Sequence, residues 1–152
     1  MSDYEKEEDF FFNSRKLSRA ITRVYDKYLK PCGISSNQFV VMAVLQSCKN
    51  GHREPICSLA NTLFVERSTL SRMLKSLEEC GIAEMVQNGR VRFCSLTRKG
   101  SNILNKAIPL WRKANDNFMS IVGKDCYRVY IAELGVILDA VDKVNEMHGG
   151  DE

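Results

Sequence analysis

Between residues 66 and 79 the chain sets Arg67, Ser68, Thr69, Ser71, Arg72 and Lys75 among Leu70, Leu74 and Leu77. Leucines at i, i+4 and i+7 form one apolar stripe of a helix, leaving the basic and hydroxyl side chains on the outward face. A DNA major groove admits one helix. There arginine can pair bidentately with guanine, and Ser or Thr hydroxyls can donate or accept at base edges. The amides at a helix N-terminus add an attraction for phosphate. An ordinary solvated face has the same pattern, so this stretch alone does not decide between the two. A second basic group, Arg90 and Arg92, follows Asn88-Gly89. Asn-Gly between the strand-like runs 82–87 and 90–96 predicts a hairpin with a type I′ turn, whose central positions both need positive φ. Arg90 and Arg92, two apart on a strand, are then expected on one side, suited to a minor groove or to phosphates.

Other reactive residues point to less. Of six cysteines (Cys32, Cys48, Cys57, Cys80, Cys94 and Cys126), none forms a C-x-x-C pair. The spacing of Cys32, Cys48, His52 and Cys57 fits no common zinc module. The expectation is buried free thiols in a reducing cytoplasm, with no metal and no cofactor. His52 falls in a loop and His148 in the tail, and neither is tied to an acid or nucleophile motif, which argues against an enzyme. No apolar run approaches the roughly 18 to 20 residues of a membrane span, and the acidic start is unlike a signal peptide.

The elements that hold these residues read as helix almost throughout. Apolar Phe10, Leu17, Ile21, Val24, Tyr25 and Tyr28 recur at helical spacing over 10–29,. Pro31 and Gly33 end that helix, and Ser35 with Gln38 forms a capping box opening another that runs to about residue 48. Residues 49–54 read as a loop, 57–63 as a short helix and 66–79 as the basic helix, closed by Gly81. After the hairpin, Thr97 caps a long helix to about residue 122, with a kink expected at Pro109. A last helix spans about 124–144, and the tail is loose. Helix, short helix, turn, helix and tight hairpin is the winged helix-turn-helix plan.

Net charge is +3, but it is uneven. Residues 1–9 carry one base against five acids, residues 10–100 fifteen against six, and residues 101–152 six against eight. A basic middle between acidic ends suggests a polyanion-binding module. The terminal helices are more apolar than a small winged domain can cover, so they need another surface, either a second copy or a larger helical core.

The runs LANTLFVERSTLSRMLKSLEECGI, NGRVRFCSLTRKG and IPLWRKA resemble the multiple-antibiotic-resistance regulator (MarR) family of bacterial transcription factors. The resemblance covers residues 10–144. It implies a mainly α fold with a small β-hairpin wing: a winged helix-turn-helix lobe (34–100) and N- and C-terminal dimerisation helices (10–30 and 101–147). Those make one domain, 10–152, behind a disordered acidic N-terminus, 1–9. It further implies a cytoplasmic homodimer that represses transcription from a pseudo-palindromic double-stranded operator. Recognition-helix contacts would fall on Arg67, Ser68, Thr69, Ser71, Arg72 and Lys75, and the wing arginine of the family's D-x-R motif on Arg90, beside the Arg92 that the hairpin reading adds. The family often answers to phenolic or amphipathic small molecules. By analogy Phe12, Arg15, Arg19 and Trp111 would line the effector cleft, with plain core packing the competing reading of Trp111.

Several residues depart from the family pattern. Asn88 replaces the acid of the D-x-R wing motif, the wing is shorter by a few residues, and Phe64 stands where glycine is common. Residues 10–29 hold no cysteine, unlike the family's organic-peroxide sensors. A winged-helix interaction adaptor that does not bind specific DNA is the alternative these departures leave open.

Overall fold

The computed structural model describes residues 9–47 and 54–148. The acidic 1–8, the 48–53 stretch with Cys48 and His52, and the tail beyond 148 lie outside them. The described residues fall into two compact units, one closing at Arg112 and the other opening at Lys113.

In the first unit, α1 (Phe10–Leu29) starts at Asp9, whose carboxylate accepts from the Phe12 amide at 2.6 Å. Asp9, assigned from sequence to the disordered end, is therefore a helix cap. A 3-10 turn at Lys30–Cys32 ends the helix. The capping box forms as the sequence predicts. Gln38 N–H donates to Ser35 Oγ at 3.2 Å, and Ser35 N–H donates back to Gln38 Oε1 at 2.9 Å, opening α2 (Ser36–Ser47).

Next come β1 (Glu54–Pro55), α3 (Ile56–Thr62), α4 (Arg67–Glu79), β2 (Ala83–Asn88) and β3 (Val91–Leu96). Glu54, expected in a loop, instead pairs with Cys94, and Pro55 pairs with Phe93. The sheet thus has three antiparallel strands in the order β1-β3-β2. Proline has no N–H to donate, and an edge strand is where it is tolerated.

The hairpin turn also differs from expectation. Asn88 pairs with Val91, so Gly89 and Arg90 are the central residues rather than Asn88 and Gly89. Gly89 has φ 59, and Arg90 is not among the positive-φ residues. Positive φ at the first central position alone is the type II′ pattern, not I′.

Both helices of the helix-turn-helix end in the same hydrogen-bond motif. At the end of α4, Gly81 N–H reaches Glu78 O and Ile82 N–H reaches Leu77 O, each at 2.8 Å. At the end of α3, Phe64 N–H reaches Asn61 O and Val65 N–H reaches Ala60 O, each at 3.1 Å. This Schellman pattern places the residue after the cap in the left-handed region, where glycine is preferred. Gly81 sits there at φ 65 and Phe64 at φ 50, the one non-glycine with positive φ among the described residues.

Leu70, Leu74 and Leu77 of α4 are fully buried. They join Leu29, Met42, Leu59, Cys94, Leu104 and Ala107 in one core. α5 (Arg98–Val122) is capped by Thr97, whose Oγ1 accepts from the Gly100 amide at 3.1 Å. It continues as one helix through Pro109. Pro109 is exposed, so water can take the carbonyl that its missing donor leaves unpaired.

The second unit holds the end of α5 and α6 (Lys124–His148), which extends past the expected residue 144. Val129, Ile131, Val136, Leu138, Val144 and Met147 are exposed along α6. In the first unit, Phe10, Phe11, Phe12 and Leu17 of α1 are exposed as well.

Among the described cysteines, the expected burial holds for Cys94 alone. Cys57, Cys80 and Cys126 are exposed and Cys32 is half-buried. Cys57 and Cys126 lie in the first turn of their helices and Cys80 at a helix end, positions closer to solvent than to the core.

Candidate nucleic-acid interface

α4 turns its leucines inward, and Arg67, Ser68, Thr69, Ser71, Arg72 and Lys75 are all exposed. Arg72 Nε lies 3.4 Å from Ser68 O, a weak bond that leaves the rest of the guanidinium outward,. Lys75 Nζ lies 3.9 Å from Glu79 Oε1, and both side chains are largely in solvent.

Arg90 and Arg92 are exposed as well, but not as neighbours on one strand. Arg90 is in the turn, while Arg92 pairs across the ladder with Gln87. Arg92 has the same strand parity as buried Cys94, and its Nη2 lies 3.6 Å from Met85 Sδ. The turn is therefore the part of the wing that puts a free-standing base, Arg90, at the tip.

The wing is fixed to α4 at its root. Thr97 Oγ1 donates to Gly81 O at 2.7 Å, Thr97 N–H to Ile82 O at 3.0 Å, and Lys99 Nζ to Cys80 O at 2.7 Å. Met85 N–H donates to Glu78 Oε1 at 3.3 Å, tying the first wing strand to the helix. Gly100 is buried against the Ile82 backbone so closely that a Cβ would not fit. None of these anchoring contacts was predicted, because each joins residues whose meeting depends on the tertiary fold. Behind the sheet, burial pushes the Cys94 thiol up to about 11 from 9.0, with the charge of Glu78 adding to it.

A cavity of about 260 Å³ lies between α1 and α2 and reaches Trp111 of α5. Its lining includes Ile21, Thr22, Tyr25, Ser36 and Phe39, and Phe39 stacks on Trp111 with ring centroids 5.9 Å apart. Ser36 Oγ is buried without a hydrogen-bond partner. Of the four residues expected at an effector cleft, Trp111 lines this cavity. Phe12, Arg15 and Arg19 are exposed further towards the start of α1 and do not line it. Among the described residues, no group of three His, Cys, Asp or Glu side chains could hold a metal ion, and no helix is long and apolar enough to cross a membrane.

The fold and the exposed basic helix beside a hairpin define a winged helix-turn-helix protein. No family model and no curated protein matches the sequence, whereas solved structures do. The transcriptional regulator MosR of M. tuberculosis, crystallised in complex with DNA, is 31% identical. The match covers 88% of this chain and 98% of that one, with a TM-score of 0.75. PcaV of Streptomyces coelicolor, a transcriptional regulator in complex with its natural ligand, is 17% identical with a TM-score of 0.80, covering 93% and 99%. A MarR-family regulator from Rhodococcus is 17% identical with a TM-score of 0.74, covering 86% and 93%. The chain belongs to the MarR family of winged-helix transcriptional regulators.

Proposed function

We propose that the chain is a transcriptional repressor that binds double-stranded DNA as a homodimer, with α4 in the major groove and Arg90 at the wing tip. The observation that carries this reading is the exposed face of α4 from Arg67 to Lys75, which bears bases and hydroxyls, on a fold shared with a regulator crystallised on DNA. The contacts fall to Arg67, Ser68, Thr69, Ser71, Arg72 and Lys75, with Arg92 a secondary contact because of its place along Met85. The exposed apolar residues of α1 and of α6 supply what a second copy would cover. A dimer is also what specific binding requires, since one module makes few contacts and two recognition helices one turn apart, about 34 Å, read a palindrome.

An effector of phenolic or amphipathic type would enter the cavity beside Trp111 and shift the spacing of the recognition helices. PcaV, which shares the fold, was crystallised with its natural ligand. Such a protein needs no catalytic residue and no cofactor, and it works in the cytoplasm with the DNA.

Selection of bound sequences from random duplex DNA tests the reading. A palindromic motif with half-sites one turn apart is the expected result, and affinity should fall linearly in log–log terms with salt as counterions are released. Failure to enrich any sequence would remove the regulator assignment. The adaptor reading draws on the two-residue wing turn and Asn88, and it would be favoured by association that is flat in salt.

A further inference from the structure

We propose that Phe64 reads sequence, its ring packing on a thymine methyl group at the edge of each half-site. This rests on the DNA-binding reading above.

The Schellman bonds at the end of α3 impose positive φ on whichever residue follows the cap,. The equivalent position at the end of α4 is glycine, which enters that region freely, while here a bulky aromatic is held at φ 50,. Burial does not explain the choice, because Phe64 is 55% exposed. The following residue, Val65, supplies the contact with the core instead. The helix-turn-helix thus keeps an unfavourable backbone conformation for a side chain that lies more than half in solvent and outside the core cluster. Strain that persists without an internal gain marks a functional position.

Its place in the chain says what function. Phe64 precedes Arg67, the first residue of α4, by three residues. Three Cα steps span at most about 11 Å, so the ring and the first turn of α4 reach the same few nucleotides. In the major groove the one strongly apolar feature on a base edge is the thymine methyl, and an aromatic side chain is a suitable partner for it. Arg67 and Ser68 alongside can hydrogen-bond but offer little apolar surface, and beside the single methyl of Thr69 the Phe64 ring is the large apolar group at this end of α4,.

The test uses the full chain and the duplex enriched by selection. Wild type, Phe64→Gly and Phe64→Ala are compared for thermal unfolding, for affinity, and for the motif each enriches. Deoxyuridine then replaces each thymine of the half-site in turn, removing only the methyl. The glycine variant should unfold at a higher temperature yet bind more weakly. Wild type should lose roughly fourfold in affinity at one thymine position, about the worth of one buried methyl, and both variants should be indifferent to that replacement. A glycine variant with wild-type affinity and motif would overturn the proposal. So would equal weakening on every sequence, or a wild type insensitive to every deoxyuridine. If wild type enriches no DNA, the regulator reading falls first. A clear palindrome with a silent Phe64 removes this proposal alone.

Discussion

Gly100→Ala should destabilise the protein and unseat the wing. Gly100 is the third residue of α5, and a Cβ there would fall far inside contact with the Ile82 carbonyl oxygen. It would also meet Ile82 C at 3.1 Å and Cγ2 at 3.2 Å. The obstacle is mostly backbone, so no rotamer change relieves it. Alanine gains about 1 kcal/mol over glycine from helix propensity. Overpacking costs about 1–3 kcal/mol. The same displacement pulls Thr97 N–H from Ile82 O, now 3.0 Å away, and Thr97 Oγ1 from Gly81 O, now 2.7 Å. Each of those bonds is worth about 1 kcal/mol. The balance is a loss of about 2–4 kcal/mol, large against a typical stability of about 5–15 kcal/mol. For a chain of this size that corresponds to a fall in Tm of about 4–16 °C, readable by circular dichroism. Below the transition the folded variant should still bind DNA less tightly, because Ile82 is where the wing leaves α4. An unchanged or raised Tm would mean that helix propensity governs this position, and the close approach would not be the constraint it is argued to be.

Arg72→Ala should lose discrimination between operator and mismatched duplexes, by about 1–3 kcal/mol if the guanidinium is bidentate to a base; equal weakening on all sequences would make it a phosphate contact. Arg90→Ala should lower affinity on all duplexes and reduce the salt slope, and unchanged binding would take the wing tip out of the interface. Cys94 should resist a thiol reagent at pH 8 in the native protein while exposed Cys57, Cys80 and Cys126 react,. Its folded pKa of about 11 lies above the unfolded 9.0. Native protein therefore holds a proton that unfolded chain releases, and stability should fall as pH rises from about 9 to 11, by on the order of 2 kcal/mol. Cys94→Ala should remove that part of the pH dependence; a curve identical to wild type would refute it.

What could be read from sequence was periodic or local. Leu70, Leu74 and Leu77 follow one helical stripe, and all three are fully buried. Ser35 and Gln38 need only each other, and their capping box forms. Register was lost where a local rule met a longer ladder. Asn-Gly is a turn signal, but cross-strand pairing continues through Asn88, so the turn moves one residue on. β1 is two residues, one of them proline, and exists because the fold brings Glu54 to Cys94. Of the residues expected at an effector cleft, Phe12, Arg15 and Arg19 do not line the cavity that Trp111 lines. Arg15 and Arg19 share α1 with Ile21 and Tyr25, but only its later turns face Phe39 and Trp111 across the cavity. No spacing rule reports where along a helix its partner begins.

Charge along α4 bears directly on what the helix is for. Its first turn holds no acid and its last turn no base, and the helix ends in Glu78 and Glu79 while Arg67 and Arg72 lie nearer its start. A helix macrodipole favours the opposite order, acids first and bases last. Glu66 at the cap is the exception, and its side chain makes no cap bond. Intrahelical compensation is slight, since the Lys75–Glu79 pair at 3.9 Å is solvent-exposed and weak,. The distribution is therefore unfavourable for the helix in isolation. It becomes favourable when a polyanion approaches the N-terminal end, where arginines, hydroxyls and unpaired amides meet it together and the two glutamates stay clear. On the proposed DNA-binding reading, Lys75→Ala should therefore weaken binding less than Arg67→Ala, measured on the same duplex.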